Sequence, residues 1–339
     1  MKGVAAGKPG EVIFVDYPAP EAGEDDLILS PTACGVCATD VKQVQKGAQD
    51  TRFALGHEVV GKITKTSQSQ ELKIGQRVVV SPYLPCGNCF YCKRGQEALC
   101  SHLYETSISP GGMAEEILIP GELGRRGTFA LPDDLADETA ALAEPLGCVL
   151  KGFEDAQFYA GSSLLVIGDG PMGQLAAAAG QVLGAERVIM AGATEHRLQL
   201  AKKHFMVTEV DVTKADLKTE VMRQTENRGA DCALVTVSSG ETLVEGISCV
   251  RPGGSVNAFA GVPDGIEIPL DVRKLHYRQY HLTGSSGVTP KYMKMALELL
   301  SNRDVDFSQV VTATFPFNQA GDAIAYVANR IGLKAMVTF

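Results

Sequence analysis

No long hydrophobic run occurs anywhere in the 339 residues. None of the chain approaches the roughly 20 apolar residues that a membrane-spanning helix needs. The N-terminus, Met1-Lys2-Gly3-Val4-Ala5-Ala6-Gly7-Lys8, has no apolar core of the length a signal peptide requires. The expectation is a cytoplasmic protein without a membrane partner. Basic charge is also in short supply: 31 Lys and Arg face 40 Asp and Glu, for a net charge of −9. That balance argues against nucleic acid as a partner, because neutralising phosphates takes a basic surface. Internal repeats, low-complexity tracts and the composition of disorder are absent. The 45% hydrophobic and 21% charged fractions are those of an ordinary globular protein. What is plentiful is cysteine. An odd count of nine in a reducing compartment points to metal ligands and buried thiols rather than to a disulfide framework.

A chain of this length has room for two domains. Residues 1–150 are rich in short β-like runs and turn residues, such as Val12-Ile13-Phe14-Val15 and Arg77-Val78-Val79-Val80. Over 151–285, apolar strands alternate with helical patterns. The predicted strands are Leu164–Ile167, Val188–Ala191, Cys232–Val235 and Ser255–Phe259, and Leu198, Ala201 and Lys202 fall on one helix between them. Continuous apolar strands separated by helices indicate a parallel sheet covered on both faces. Residues 286–339 carry a helix, Tyr292–Leu300, and a last strand, Ala335–Phe339. This tail is expected to complete the first domain, leaving the middle region as an insertion. The fold class is α/β: a mainly β domain plus a doubly wound parallel-sheet domain.

Cys86, Cys89, Cys92 and Cys100 follow the pattern C-x2-C-x2-C-x7-C on a segment punctuated by Pro85, Gly87 and Gly95. Four thiolates so spaced can close into a tetrahedral site, which suits a structural zinc and contributes folding energy. An iron–sulfur cluster also takes four cysteines and is the rival reading. A second set comprises Cys37 in Gly35-Val36-Cys37-Ala38-Thr39-Asp40, His57 and Glu58 in Gly56-His57-Glu58, and Glu144 in Ala143-Glu144-Pro145-Leu146. One thiolate, one imidazole and one or two carboxylates leave a coordination position open, as a catalytic zinc requires.

With these motifs in this order, together with Gly168-Asp169-Gly170-Pro171-Met172-Gly173, the sequence resembles the zinc-containing medium-chain dehydrogenases, and among them the sorbitol/polyol dehydrogenase group. The resemblance covers essentially the whole chain and implies a GroES-like catalytic domain joined to a Rossmann domain. It implies that Cys37 and His57 bind the catalytic zinc, with Glu58 or Glu144 as the third protein ligand. Glu144 stands where simple alcohol dehydrogenases carry a second cysteine. Asp40 would orient His57, as carboxylates do for zinc-bound imidazoles. Thr39 matches the hydroxyl that relays the proton, whereas the relay histidine five residues after the zinc cysteine is here Lys42. Cys34, Cys148, Cys232 and Cys249 match no ligand position and read as small core hydrophobes. Lys334 matches a cationic position that reaches the cofactor phosphates or Glu58.

Gly168, Gly170 and Gly173 fit G-x-G-x-x-G directly after the strand Leu164–Ile167, and Pro171 and Met172 open the following helix. Proline suits the first helical turn, and the helix N-terminus would face the cofactor pyrophosphate. NAD-preferring members place an acid about 20 residues on, where it binds the ribose 2′-hydroxyl. Here that place holds Gly192, with Thr194, His196 and Arg197 just beyond. The absent carboxylate and the nearby guanidinium favour NADP(H) over NAD(H).

The expected function is zinc-dependent hydride transfer between a secondary alcohol of a sugar or polyol, or its ketone, and NAD(P). Two zinc ions per chain, a small polyol or ketose substrate and a homodimer or homotetramer are expected with it. Tyr83, Tyr104, Ser109 and Phe259 are candidate substrate-site residues. The alternatives are a catalytically silent, crystallin-like cofactor-binding protein and, among enzymes, a threonine- or cyclitol-type dehydrogenase.

Overall fold

The structure is a computed structural model that describes residues 1–48, 51–67 and 71–339. It divides into two compact units. The first comprises Met1–Gly147, Val288–Ser301 and Ser308–Phe339, and the second Cys148–Gly287 with Asn302–Phe307.

The first unit begins with β1 (Lys2–Ala6) and β2 (Val12–Asp16), an antiparallel pair. Its main strands are β3 (Leu27–Gly35), β4 (Glu58–Lys65), β5 (Arg77–Val80), β6 (Ile117–Ile119) and β7 (Thr128–Ala130). Alternating apolar residues set the inner face: Leu27 and Leu29 on β3, Val59 and Ile63 on β4, Val78 and Val80 on β5 all lie in one buried cluster.

In the second unit β8 (Ser163–Ile167), β9 (Arg187–Gly192), β10 (Thr208–Asp211), β11 (Ala230–Val235), β12 (Val250–Ala258) and β13 (His281–Gly284) form one six-stranded sheet. Every pair is parallel, in the order β10-β9-β8-β11-β12-β13. This is the doubly wound order whose ligand crevice lies where the winding reverses, at the carboxyl ends of β8 and β11. All five residues of β8 are buried, so the strand reads as a continuous apolar run. β12 starts five residues before the predicted Ser255, across a register shift between Ala230 and Cys232 of its neighbour. β10 and β13 occupy the two edges and bury little; only Val210 of β10 is buried.

The chain then returns to the first unit through the helix Pro290–Leu300, β14 (Val311–Pro316) and β15 (Lys334–Thr338). β15 pairs with β3, placing Met336 opposite Gly35, and β3 pairs with β4, placing Gly35 opposite Glu58. Three adjacent strands thus bring Lys334, the Gly35–Cys37 turn and His57-Glu58 to one end of the sheet.

Candidate active site

Cys37 caps the helix Ala38–Lys46, which is separated from the end of β3 by two residues. Asp40, 1% exposed, accepts the backbone N–H of Cys37 at 2.8 Å with Oδ2 and that of Gly56 at 2.9 Å with Oδ1. It therefore pins the backbone on both sides of the site. Toward the His57 ring, which it is expected to orient, Asp40 Oδ1 stands 3.8 Å from Nδ1, an ion-pair distance longer than a hydrogen bond.

Cys37, His57 and Glu58 bring one ligand atom each to within 4.8 Å of one another. Glu58 is fully buried, and its Oε1 is paired with Lys334 Nζ at 2.5 Å. Its Oε2 has no hydrogen-bond partner among the described residues, an anomaly for a buried carboxylate and a fit for a cation. Gly35 makes room for that oxygen: a Cβ there would lie 2.0 Å from Glu58 Oε2. His57 is held well above its usual range. Burial opposes its charge, but the Cys37 thiol, Asp40 and Glu144 outweigh burial, so the surroundings attract positive charge. Glu144, itself buried, acts on His57 and Lys334 through its charge and is not one of the three converging ligands. Thr39 Oγ1 lies 3.6 Å from Cys37 Sγ, and both Thr39 and Lys42 are exposed.

Lys334 is 3% exposed, and its pKa is raised. Burial lowers it, but Glu58, Cys37 and Glu144 more than compensate. Its ammonium is paired with Glu58, one of the two partners expected for it.

The four cysteines of 86–100 place their sulfurs within 4.8 Å of one another, with Cys100 Sγ 3.5 Å from Cys86 Sγ and 3.8 Å from Cys89 Sγ. Zinc–sulfur bonds of about 2.3 Å imply sulfur–sulfur edges of about 3.8 Å in a tetrahedron, which these spacings match. Gly87 and Gly95, at φ 76° and 74°, supply the left-handed turns that fold the loop back on itself. The N–H groups of Cys86 and His102 both point at Cys100 Sγ, at 3.4 and 3.3 Å. Cys89 is lowered to about 6, chiefly by the Cys92 backbone N–H. Cys92 is raised to about 12, by burial first and then by sharing a proton with Cys89. The remaining cysteines differ among themselves: Cys34, Cys232 and Cys249 are buried, while Cys148 is only half-buried.

In the second unit Gly168–Gly173 connects β8 to the helix Pro171–Val182, with Pro171 in its first turn. A Cβ on Gly173 would lie 1.9 Å from the Gly168 carbonyl oxygen, whereas one on Gly170 would meet open space. The first contact demands glycine, and the open space is what a pyrophosphate needs. Met172 is half-buried beside it. Gly192 ends β9, and Thr194 opens the helix Glu195–His204. Arg197, expected near the ribose phosphate of the cofactor, is 7% exposed, with Nη1 3.7 Å from Asp169 Oδ1.

Residues 23–127 match the family model of the alcohol dehydrogenase GroES-like domain, and residues 171–302 that of the zinc-binding dehydrogenases. The L-threonine 3-dehydrogenase of Anaeromyxobacter sp. (strain K) is 30% identical over 326 residues, spanning 93% of this chain and 92% of that one. The chain belongs to the zinc-binding dehydrogenase family. The sorbitol dehydrogenase of Bacillus subtilis (strain 168) is 29% identical over 332 residues, 96% of this chain and 92% of its own length. The alcohol dehydrogenase TADH from Thermus sp. ATN1 has the same fold, with a TM-score of 0.90 at 25% identity, covering 100% of this chain and 99% of that one. As a family member the protein is a zinc-dependent oxidoreductase of alcohols that uses a nicotinamide cofactor. No helix among the described residues is long and apolar enough to cross a membrane.

Of the candidate substrate residues of this zinc-binding dehydrogenase, Tyr83, Tyr104 and Ser109 belong to the first unit and Phe259 to the second. Tyr83 and Tyr104 meet edge to face at 4.9 Å, and the Tyr83 hydroxyl accepts the Val288 N–H at 3.1 Å. Ser109 lines a separate hollow with Tyr17 and Arg52, and Phe259 lies over Gly152 in the second unit. Asp169 escaped notice because it occupies a variable position of the glycine motif. Its only signal in the sequence is a charge within that turn.

Proposed function

We propose that this dehydrogenase interconverts a secondary alcohol of a sugar or polyol with its ketone, and that each chain holds two zinc ions. The observation that carries the reading is the buried, unpartnered Glu58 Oε2 beside Cys37 and His57. It supports Glu58 rather than Glu144 as the third protein ligand of the catalytic zinc. Cys86, Cys89, Cys92 and Cys100 would hold the structural one. When bound, zinc supplies Lewis acidity to the alcohol oxygen and nicotinamide accepts the hydride.

The chain's own residues do the rest. Asp40 fixes the backbone of both ligand segments, and Lys334 holds the Glu58 side chain in place. Thr39 receives the alcohol proton and passes it to water, with Lys42 marking the exposed exit. A carboxylate-rich site and the sorbitol dehydrogenase relative support a polyol. The L-threonine 3-dehydrogenase relative supports an amino alcohol as the second reading.

Among cofactors we propose NADP(H) over NAD(H). Support comes from Gly192, which carries no side chain toward the ribose. Asp169 beside it is matched by Arg197 and the Thr194 N–H, so no uncompensated carboxylate opposes a 2′-phosphate. Thr194 stands at the N-terminus of a ten-residue helix, where backbone N–H groups favour anions. Gly168, Gly170, Pro171, Met172 and Gly173 would take the pyrophosphate. A cytoplasmic homodimer or homotetramer completes the proposal.

The test is a panel of polyols, cyclitols and amino alcohols run with both cofactors in both directions, alongside elemental analysis. Turnover of polyols with higher kcat/KM for NADP(H) and two zinc ions per chain is expected. Cofactor binding without turnover anywhere in the panel would identify a silent binding protein. A tenfold preference for NAD(H) would defeat the cofactor reading.

A further inference from the structure

A carboxylate offers a metal two oxygens, and the number it uses decides whether a site of three residues stays open. Binding through both oxygens takes two coordination positions. Added to a thiolate and an imidazole, such a carboxylate supplies a fourth protein donor and closes the site. Glu58 is built against that. Its Oε1 is taken by Lys334 Nζ at 2.5 Å, while its Oε2 has no hydrogen-bond partner among the described residues. An ammonium donates and cannot accept, and at 4% exposure this one has little water to turn to instead of Oε1. Strand register fixes where it stands. Lys334 opens β15, whose Met336 lies opposite Gly35 of β3, and Gly35 lies opposite Glu58 of β4. The second oxygen is placed as firmly, because a Cβ on Gly35 would come within 2.0 Å of Oε2 and only glycine leaves it room. The two oxygens of one carboxylate thus face different partners.

We propose that Lys334 is a positioning residue that withholds Glu58 Oε1 from the metal and so reserves the fourth coordination position for the substrate oxygen. The proposal rests on the reading that Cys37, His57 and Glu58 hold a catalytic zinc. Without the lysine, Oε1 is a buried acceptor with no donor, which is costly. The metal is then the partner that satisfies it, and Glu58 turns both oxygens that way. The site becomes a closed one, of the kind that supports a fold and not a reaction. A lysine that merely balanced a buried acid would behave differently: its loss would destabilise the protein and leave the open position as it was.

The experiment uses the full chain loaded with cobalt(II), whose visible absorption changes when a ligand enters its coordination shell, and titrates it with imidazole. Imidazole is neutral, so the loss of a lysine charge does not by itself alter its affinity. The four-cysteine lobe has no open position and stays silent. Wild type, Lys334→Met and Lys334→Arg are compared, with circular dichroism as the check on folding. The Kd for imidazole is expected to rise about tenfold or more in Lys334→Met. It should stay close to wild type in Lys334→Arg, which keeps a cation on Oε1. A smaller rise in Lys334→Met overturns the proposal. An equal rise in both variants also overturns it, because packing and not the cation would then be the cause. Should the methionine variant not fold, a crystal structure of the zinc-loaded wild type decides. Oε1 still on Lys334 with Oε2 alone on the metal supports the proposal, and both oxygens on the metal overturn it. If the wild type shows no change with imidazole, the reading of an open zinc site falls and the proposal falls with it. A wild type that responds, with Lys334→Met responding alike, removes only the role of Lys334.

Discussion

At the scale of single residues the decisive pair is Glu58 and Lys334, whose side chains are 0% and 4% exposed. Burying two such groups is tolerable because each compensates the other. Lys334→Met removes the cation and leaves a buried carboxylate with no protein partner but the metal. The expected result is a loss of about 3–5 kcal/mol in unfolding free energy for zinc-stripped protein, measured by denaturant titration. Zinc restores part of it, because the ion takes over the compensation. A loss below about 1 kcal/mol in the stripped protein would mean that the pair does not hold this end of the sheet together. That Cys37, His57 and one of Glu58 and Glu144 would converge was legible in the sequence, because their residue types and spacing are those of metal ligands; that Glu58 is the one that converges was not. Nor was the direction of Arg197. Whether a side chain at the third position of a helix looks out or in depends on what another segment offers, and Asp169 lies 28 positions earlier in the chain.

At the scale of elements, function is positioned by strand ends. Register alone sets Gly35 opposite Glu58, and Gly35 opposite Met336, close to Lys334. In the second unit the start of β11 is fastened to β8 and β12 by Asp231. Its Oδ2 accepts from the Ser163 N–H at 2.9 Å and the Ser163 hydroxyl at 2.6 Å, and its Oδ1 pairs with Arg251 Nε at 2.5 Å. Asp231 is held below the usual carboxylate range. Burial raises it, but the Ser163 hydrogen bonds and Arg251 outweigh burial. A carboxyl whose pKa is lower in the folded than in the unfolded state stabilises above its unfolded value of about 3.9 and loses that effect as pH falls through the folded value. Asp231→Asn should therefore cost about 1–3 kcal/mol near pH 7. The gap to wild type should shrink below about pH 4. A gap that stays constant down to about pH 2 would show that the charge of Asp231 plays no part. β8 and β9 were predictable because a strand buried on both faces must be apolar throughout. β10 and β13 were not, because edge strands satisfy the sheet's hydrogen bonds without burying a run of side chains, and their sequences, TEVD and HLTG, look like loop.

At the scale of the whole molecule, the two proposed metal sites lie in one unit but stand in different relation to its core. Cys37 sits between β3 and a helix whose Val41 and Val44 belong to the main buried cluster, so its backbone is held whether or not a metal is present. The cysteine loop has no such support. Its regular structure is two turns of three residues, Cys92–Arg94 and Glu97–Leu99. Its large apolar side chains face outward, with Phe90 61%, Tyr91 39% and Leu99 57% exposed. A segment that buries so little cannot offset the entropy of its own ordering, and cross-linking through the four sulfurs has to do so. Cys37→Ser should then abolish turnover and leave the thermal melt close to wild type. Cys86→Ser should open the loop. Limited proteolysis should cut between residues 86 and 100 in Cys86→Ser and in chelator-treated wild type, and spare Cys37→Ser. The melting temperature should fall further for Cys86→Ser than for Cys37→Ser, since binding energy at a closed site is folding energy. If Cys37→Ser proved the less stable of the two, or if the loop resisted protease after chelation, the roles assigned to the two sites would have to be exchanged.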